Sequence, residues 1–229
     1  MNQRTGINIM CGRFANRFTA SELTTMFKTA IPLSNSQPLP AYNITPGVDI
    51  LTIQANPSGR SGGAMHWGVP SPMGKGLLIN ARGETMREKQ TFRDAALARR
   101  CVVLASGWYE WKAPKQPYHI ARRDEAPMAF GALYWPGETP RCVIVTTAAE
   151  GNLASLHHRA PLLIDLADLD QWLDPSLSSL EIGEMTKPAD ADHLIWHPTP
   201  PEVGNNKSNH AGLIAPYDGP APEVQASLF

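Results

Sequence analysis

The sequence predicts an α+β fold: a single domain with a mainly antiparallel, barrel-like β-sheet core and short flanking helices. Three observations point there. The segments "CVVLASGWYEW", "PYHIARR", "MAFGALYW" and "RCVIVTTA" follow one another closely and are rich in β-branched and aromatic residues, as strands are. Strands outnumber the helices available to cross between them, which favours an antiparallel sheet over a doubly wound parallel one. The chain has 229 residues, 42% of them hydrophobic, a length that fits one large domain better than two small ones.

The elements are justified in order along the chain. "TASELTTMFKTA" reads as an amphipathic helix, opened by a Thr19–Glu22 capping box, with Leu23, Met26 and Phe27 on one face. A Pro-rich loop, "IPLSNSQPLPAYNITPG", follows. "DILTIQA" alternates as a strand, "NPSGRSGG" turns the chain and "AMHWGV" leads back. "TFRDAALARR" reads as a second helix opened by Thr91, and the four strands come next. After them "GNLASLHH" is a short helix capped by Asn152, "APLLI" a strand, "DLADLDQWL" and "SSLEIGEM" helices, and "HLIWH" the last strand. "YDGPAPEVQASLF" has too little apolar content to pack. Residues 10–215 are therefore expected to form the domain and 216–229 a flexible tail.

Cys11, Cys101 and Cys142 are odd in number, far apart and free of any CxxC pair, so neither a disulfide framework nor a metal site is expected, and a reducing, cytoplasmic compartment fits. No apolar run approaches a membrane span, and "MNQRTGINIM" lacks the apolar stretch of a secretory signal. A monomer without cofactor is expected. The net charge of −1 hides a division: residues 1–123 carry +10 and residues 124–229 carry −11. Two readings follow. Either a basic surface meets nucleic acid, or the halves pair with each other across the fold.

Four groups of residues could carry chemistry. Cys11 follows Met10, the arrangement from which an aminopeptidase leaves a terminal cysteine; its ordinary alternative is a small buried hydrophobe. A terminal cysteine offers an amine of pKa roughly 7.7–8.0 and a thiol near ~8.5 on adjacent carbons. An aldehyde is their natural joint target: the amine forms a Schiff base and the thiolate closes a five-membered thiazolidine. In "INARGET", Asn80, Arg82 and Glu84 share one face if the segment is extended. Glu110, between Tyr109 and Trp111, is either a desolvated general acid or base or the solvent-facing member of an alternating strand. Of the adjacent His157 and His158, at most one can enter a given site, and Arg159 beside them adds an anion-binding reading.

Taken together, "MCGRF", "YNITPG", "INARGET", "RRCVVLASGWYEW", "IVTTAAEGNLASLHHRAP" and "WHPTPPEVGNNKSN" resemble in order the motifs of the SOS-response-associated peptidase (SRAP) family of abasic-site cross-linking proteins. The resemblance implies capture of the sugar aldehyde of an abasic site in single-stranded DNA as a thiazolidine cross-link. By motif it implies Cys11 as double nucleophile, Asn80 orienting the opened sugar or the amine, and Glu110 and His157 handling protons. Arg13 and Arg82 would hold flanking phosphates, with Thr146 and Arg159 near them, and Pro46 and Trp67 on the base side. Two positions depart from the family pattern: "WGVPSPMGKG" lacks an aromatic pair after Trp67, and His158 replaces an acidic residue. Residues 1–9 are expected to be absent from the mature protein, because cross-linking needs the Cys11 amine free. A self-processing or thiol peptidase using Cys11, and a noncovalent single-stranded DNA-binding module, are the alternatives. The terminal "QASLF" resembles a bacterial sliding-clamp-binding pentapeptide, with Gln225, Leu228 and Phe229 as its anchors.

Overall fold

The computed structural model describes residues 11–31, 38–74, 76–112 and 115–220. The N-terminal decapeptide and the clamp-like residues Gln225, Leu228 and Phe229 lie outside them. The strands in chain order are β1 (Phe14–Asn16), β2 (Ala41–Ile44), β3 (Asp49–Asn56), β4 (Gly59–Trp67), β5 (Val69–Pro70), β6 (Leu77–Leu78), β7 (Asn80–Arg82), β8 (Arg100–Ala105), β9 (Gly107–Lys112), β10 (Gln116–Arg122), β11 (Met128–Trp135), β12 (Arg141–Ala148), β13 (Arg159–Pro161), β14 (Leu163–Ile164) and β15 (Leu194–Pro198). The α-helices are α1 (Ala20–Phe27), α2 (Arg93–Ala98), α3 (Leu169–Leu173) and α4 (Ser179–Met185). None of the described helices is long and apolar enough to cross a membrane.

The pairings explain the barrel-like core. β12 pairs with β4, β4 with β3, β3 with β8, β8 with β11, and β11 again with β12, so the hydrogen bonding runs round a closed circuit. Closure removes the exposed edges that an open sheet would present. A second sheet runs β15-β10-β9-β1-β2. Among the described residues every pairing is antiparallel except those of β12 with β4 and with β7.

β8 shows why its sequence is apolar throughout. Cys101, Val103 and Ala105 pack with Phe14 and Trp108 of the second sheet, while Val102 and Leu104 point the other way, toward Leu23, Phe27 and Trp172 of the helices. A strand covered on both faces reads as a continuous hydrophobic run. The segment read as one strand, "CVVLASGWYEW", is in fact two, β8 in the barrel and β9 in the second sheet. The change comes at Ser106, whose amide donates to the Ala15 carbonyl while its hydroxyl accepts from the Arg17 amide. These bonds pin β8 to β9 across β1 and set which face of β9 looks inward.

Other boundaries moved for identifiable reasons. The Thr19–Glu22 capping box is present and Leu23 and Phe27 are buried, but Met26 is exposed at the margin of the face. β4 begins at Gly59, inside the segment expected to be a turn, because Gly62 donates to the Ala30 carbonyl and a Cβ there would lie 2.8 Å from that oxygen. Neither Thr91 nor Asn152 caps a helix: Phe92 precedes α2, and residues 151–155 form a 3₁₀ turn entered from Glu150. "APLLI" breaks at Leu162 into β13 and β14, which serve different partners, β12 and β11.

The second sheet buries His119, 5% exposed, against Tyr109 and His197, with neither ring nitrogen hydrogen-bonded among the described residues. Gly107 makes room for it, since a Cβ there would lie 2.4 Å from His119 Nε2. Burial, with the nearby His197 and Arg17 charges adding, pushes His119 from 6.5 down to about 3. The folded state thus keeps a neutral ring while the unfolded chain takes a proton below about 6.5, so stability present above that pH is lost as pH falls. His119→Phe is expected to flatten this fall, which in the wild type amounts to about 1 kcal/mol per pH unit below about pH 6. Urea melts across that range check it; equal slopes in the two proteins would assign the acid sensitivity elsewhere.

Candidate active site

β9 carries the central carboxylate. Successive side chains alternate, so Trp108 and Glu110 face one way and Tyr109 and Trp111 the other. Trp108 packs edge-to-face on Phe130 in the barrel-side core, whereas Tyr109 joins Val203 and Leu213 on the far side. Glu110 therefore follows Trp108 inward and is 3% exposed. Of the two readings open in the sequence, the desolvated one describes its surroundings.

Cys11 meets Glu110 with both of its functional atoms. Its backbone N donates to Oε1 at 3.2 Å and its Sγ to the same oxygen at 3.1 Å. β1, which starts three residues later, pairs with β9 at Phe14 opposite Trp108, and this register delivers Cys11 to Glu110. Cys11 has φ +44°, a left-handed conformation costing a non-glycine residue about 1–2 kcal/mol. His157 approaches the other oxygen, its Nδ1 3.5 Å from Glu110 Oε2. His158 is exposed and its ring stacks obliquely on that of His157, so one histidine of the pair enters the site.

Electrostatics leave these groups mostly neutral near pH 7. Burial raises Glu110 to about 8, even though the hydrogen bonds from Cys11 pull the other way. Burial, reinforced by the Glu110 charge, raises the Cys11 thiol well above its ordinary value. Burial lowers His157. The histidine and carboxyl thus meet as an uncharged pair rather than as an ion pair.

The remaining sequence-selected residues divide into two sets. Asn80 and Arg82 lie on β7, in parallel register with Ile144 and Thr146 of β12; Arg82 is exposed, with no ion pair among the described residues. Pro46 is half-buried. Arg13 is half-buried, donating to Asn43 Oδ1 at 3.1 Å and to the Val203 carbonyl, with its guanidinium 5.7 Å from the Trp111 ring centre. Three others are interior. Trp67 is fully buried against Phe14, its Nε1 donating to the Ile79 carbonyl at 3.0 Å, so it offers no face to a DNA strand. Thr146 is fully buried beneath Arg159, and Arg159, 8% exposed, is held by Glu84.

Reading the sequence alone missed two features here. Trp111, at 36% exposure, is an aromatic that faces solvent on the side of β9 opposite Glu110, next to Arg13. The period-two pattern already set it on the face opposite Glu110, but nothing local says which face is wet. Asn43 is 8% exposed and donates to the Asn205 and Ser208 carbonyls, joining "YNITPG" to "GNNKSN". Only the long-range fold reveals that junction.

Known proteins resemble this chain over most of its length. The family model described as SOS response associated peptidase (SRAP) matches residues 10–206. The abasic site processing protein YoqW of Bacillus subtilis strain 168 is 30% identical over 221 residues, covering 90% of this chain and 99% of its own. The abasic site processing protein YedK of Escherichia coli K12 is 31% identical over 224 residues, covering 90% of this chain and all of its own. A crystal structure of a Bacteroides thetaiotaomicron protein shares the fold, with a TM-score of 0.76 at 22% identity over 90% of this chain and all of its own. A family model spanning most of the sequence, and relatives matched almost end to end, mean that the chain belongs to the SRAP family.

Proposed function

We propose that the protein captures abasic sites in single-stranded DNA by forming a thiazolidine between Cys11 and the ring-opened sugar aldehyde. The relatives bear abasic-site processing names. The observation that carries the reading is convergence: the nitrogen and the sulfur of Cys11 lie against one buried carboxyl oxygen, at 3.2 and 3.1 Å. Burial raises this carboxyl to about 8 while the Cys11 nitrogen is an amide, and a free amine beside it draws that value down, which suits a group that accepts and returns protons at neutral pH.

The steps balance with loss of one water. The Cys11 amine attacks the aldehyde carbon, and the carbonyl oxygen takes up protons and departs as water, leaving a C=N bond. Sγ then adds to that carbon, the C=N electron pair moves to nitrogen, and a proton from the thiol ends there. Glu110 relays these protons, with His157 serving the opposite oxygen. Asn80 orients the opened sugar or the amine, exposed Arg82 takes a flanking phosphate, and Arg13 and Pro46 border the site.

The amine must be free, so the working domain begins by translation from Met10 with loss of that methionine, or by removal of the residues ahead of Cys11. A thiol peptidase is less well served: it needs a thiolate lowered by a neighbouring imidazolium, whereas this thiol is raised and His157 contacts Glu110 instead.

The test pairs intact mass with a denaturing gel. Protein whose mass shows Cys11 first should shift an abasic single-stranded oligonucleotide to a band that survives heating. Protein retaining residues 1–10 should not, and equal cross-linking by both forms would sink the proposal. Trp111 supplies the exposed stacking face that Trp67 does not. Trp111→Ala is expected to weaken binding of undamaged single strands by about 1–3 kcal/mol, read by fluorescence anisotropy. Unchanged affinity would move the stacking surface elsewhere.

A further inference from the structure

Lysines that the cross-linking chemistry does not use gather at one end of the second sheet. β1 opens at that end just after Cys11, β2 brings Asn43 to it, and β9 closes there with Lys112. Lys112 lies two residues beyond Glu110 on the same face of β9, about 7 Å along the strand. Gln116 pairs with it, so Lys112 and Lys115 stand on either side of the connection from β9 to β10.

Lys207 reaches the same end from a distant part of the chain. Asn43 holds its loop, donating from Nδ2 to the Asn205 carbonyl at 2.9 Å and the Ser208 carbonyl at 2.7 Å, while Oδ1 accepts from Arg13 at 3.1 Å. Asn209 Oδ1 accepts the Tyr42 amide at 2.6 Å, and Asn205 Oδ1 accepts the Lys207 amide at 3.1 Å. The β10 side is tied to the same strap, since Gln116 Nε2 donates to the Thr199 carbonyl at 3.0 Å, just ahead of the turn whose Val203 carbonyl accepts from Arg13.

All three lysines are exposed, and their ammonium groups have no hydrogen bond or ion pair among the described residues. Other cations of the basic half are already spent: Arg17, Arg60 and Arg122 pair with acids of the second half. Glu202, the acid on the strap, is engaged by Ser208 at 2.7 Å and His210 at 3.3 Å. Unneutralised cations beside an exposed indole suit an unpaired strand, because ammonium groups meet phosphates while Trp111 offers a face to a base.

We propose that Lys112, Lys115 and Lys207 form a ledge that takes the phosphates of the single strand on one side of the captured sugar. This rests on the cross-linking reading above and gives the strand a direction. Arg82 belongs to the barrel and the ledge to the second sheet, so the two flanks of the lesion meet different parts of the fold.

The test uses protein starting at Cys11 and follows binding of undamaged single strands against salt by fluorescence anisotropy. Lys112→Gln/Lys115→Gln/Lys207→Gln should lower the slope of log affinity against log salt by about 2, three phosphate contacts at about 0.7 each. Its melting temperature should match the wild type, since all three positions are exposed. Abasic oligonucleotides with a flank on only one side of the lesion locate the ledge. Below saturation the variant should cross-link about tenfold more slowly than wild type with one flank and equally fast with the other. An unchanged slope overturns the ledge, and so does an equal loss with either flank, which would mean a diffuse field rather than contacts. A kept slope with lost self-association would assign the lysines to a protein partner and overturn it too. Absence of a wild-type adduct overturns the cross-linking reading alone, because the slope is measured on strands without a lesion.

Discussion

Cys11→Ser is expected to abolish the heat-stable adduct with abasic single-stranded DNA while leaving binding to undamaged strands within about twofold. Serine keeps the amine and its geometry against Glu110, where Cys11 N lies 3.2 Å from Oε1, so condensation to a Schiff base can still occur. What is lost is the second step, because a hydroxyl is a far poorer nucleophile than a thiol toward the C=N carbon. The serine adduct should therefore survive denaturation only after borohydride reduction, with the stable fraction without reductant down by about 100-fold or more. Cys11→Ala should behave the same way. The noncovalent-module alternative makes the opposite forecast, since a structural cysteine 3% exposed could be replaced without changing any covalent product. A heat-stable adduct formed by the serine protein at the wild-type rate would end the thiazolidine account.

The sequence made the chemistry legible better than the surroundings. Cys11 and Glu110 stood out as candidates in their local context, the resemblance singled out His157 from the histidine pair, and the fold brings the three together, each within 3.5 Å of Glu110. The strand content of 100–148 was equally plain, because burial on two faces writes itself as unbroken apolar runs such as "RCVVLA". What local pattern cannot carry is direction. Alternation along β9 groups Trp108 with Glu110 but leaves open whether that pair faces core or water, a choice made by the switch of sheets at Ser106. The resemblance put Trp67 on the base side, and the closed circuit of strands turns it inward. Charge was half legible. Arg17 with Glu125, Arg60 with Asp170 and Arg122 with Asp165 pair the basic first half with the acidic second, so part of the division is consumed across the fold. Arg159 went the other way, engaging Glu84 from the basic half, an arrangement visible only once β7 and β13 flank β12.

Glu110→Gln is expected to make the protein slower and more stable at once. Removing the proton relay should lower the cross-linking rate by about 10²–10⁴-fold. The stability gain follows from linkage. Glu110 ordinarily titrates near 4.5 and is raised to about 8 by burial in the fold, so between those values the folded state binds a proton that the unfolded chain has released. Its contribution to stability is complete below the lower value and is lost as pH rises through the upper one. Glutamine never ionises, so above about pH 8 the variant should be more stable than the wild type, by on the order of 2–4 kcal/mol, with the difference vanishing below about pH 4.5. The N-terminus sharpens the test. In the 229-residue chain the Cys11 nitrogen is an amide and offers Glu110 only a hydrogen bond. In a chain that starts at Cys11 it is an amine of pKa roughly 7.7–8.0, and its charged form stabilises the ionised carboxylate. The gain from Glu110→Gln should therefore be large in the full chain and smaller in the shorter one. Thermal melts of both pairs at pH values spanning the window measure this. An equal gain in the two chains would mean that the amine does not reach Glu110, and the shared proton path through Cys11 would fall with it.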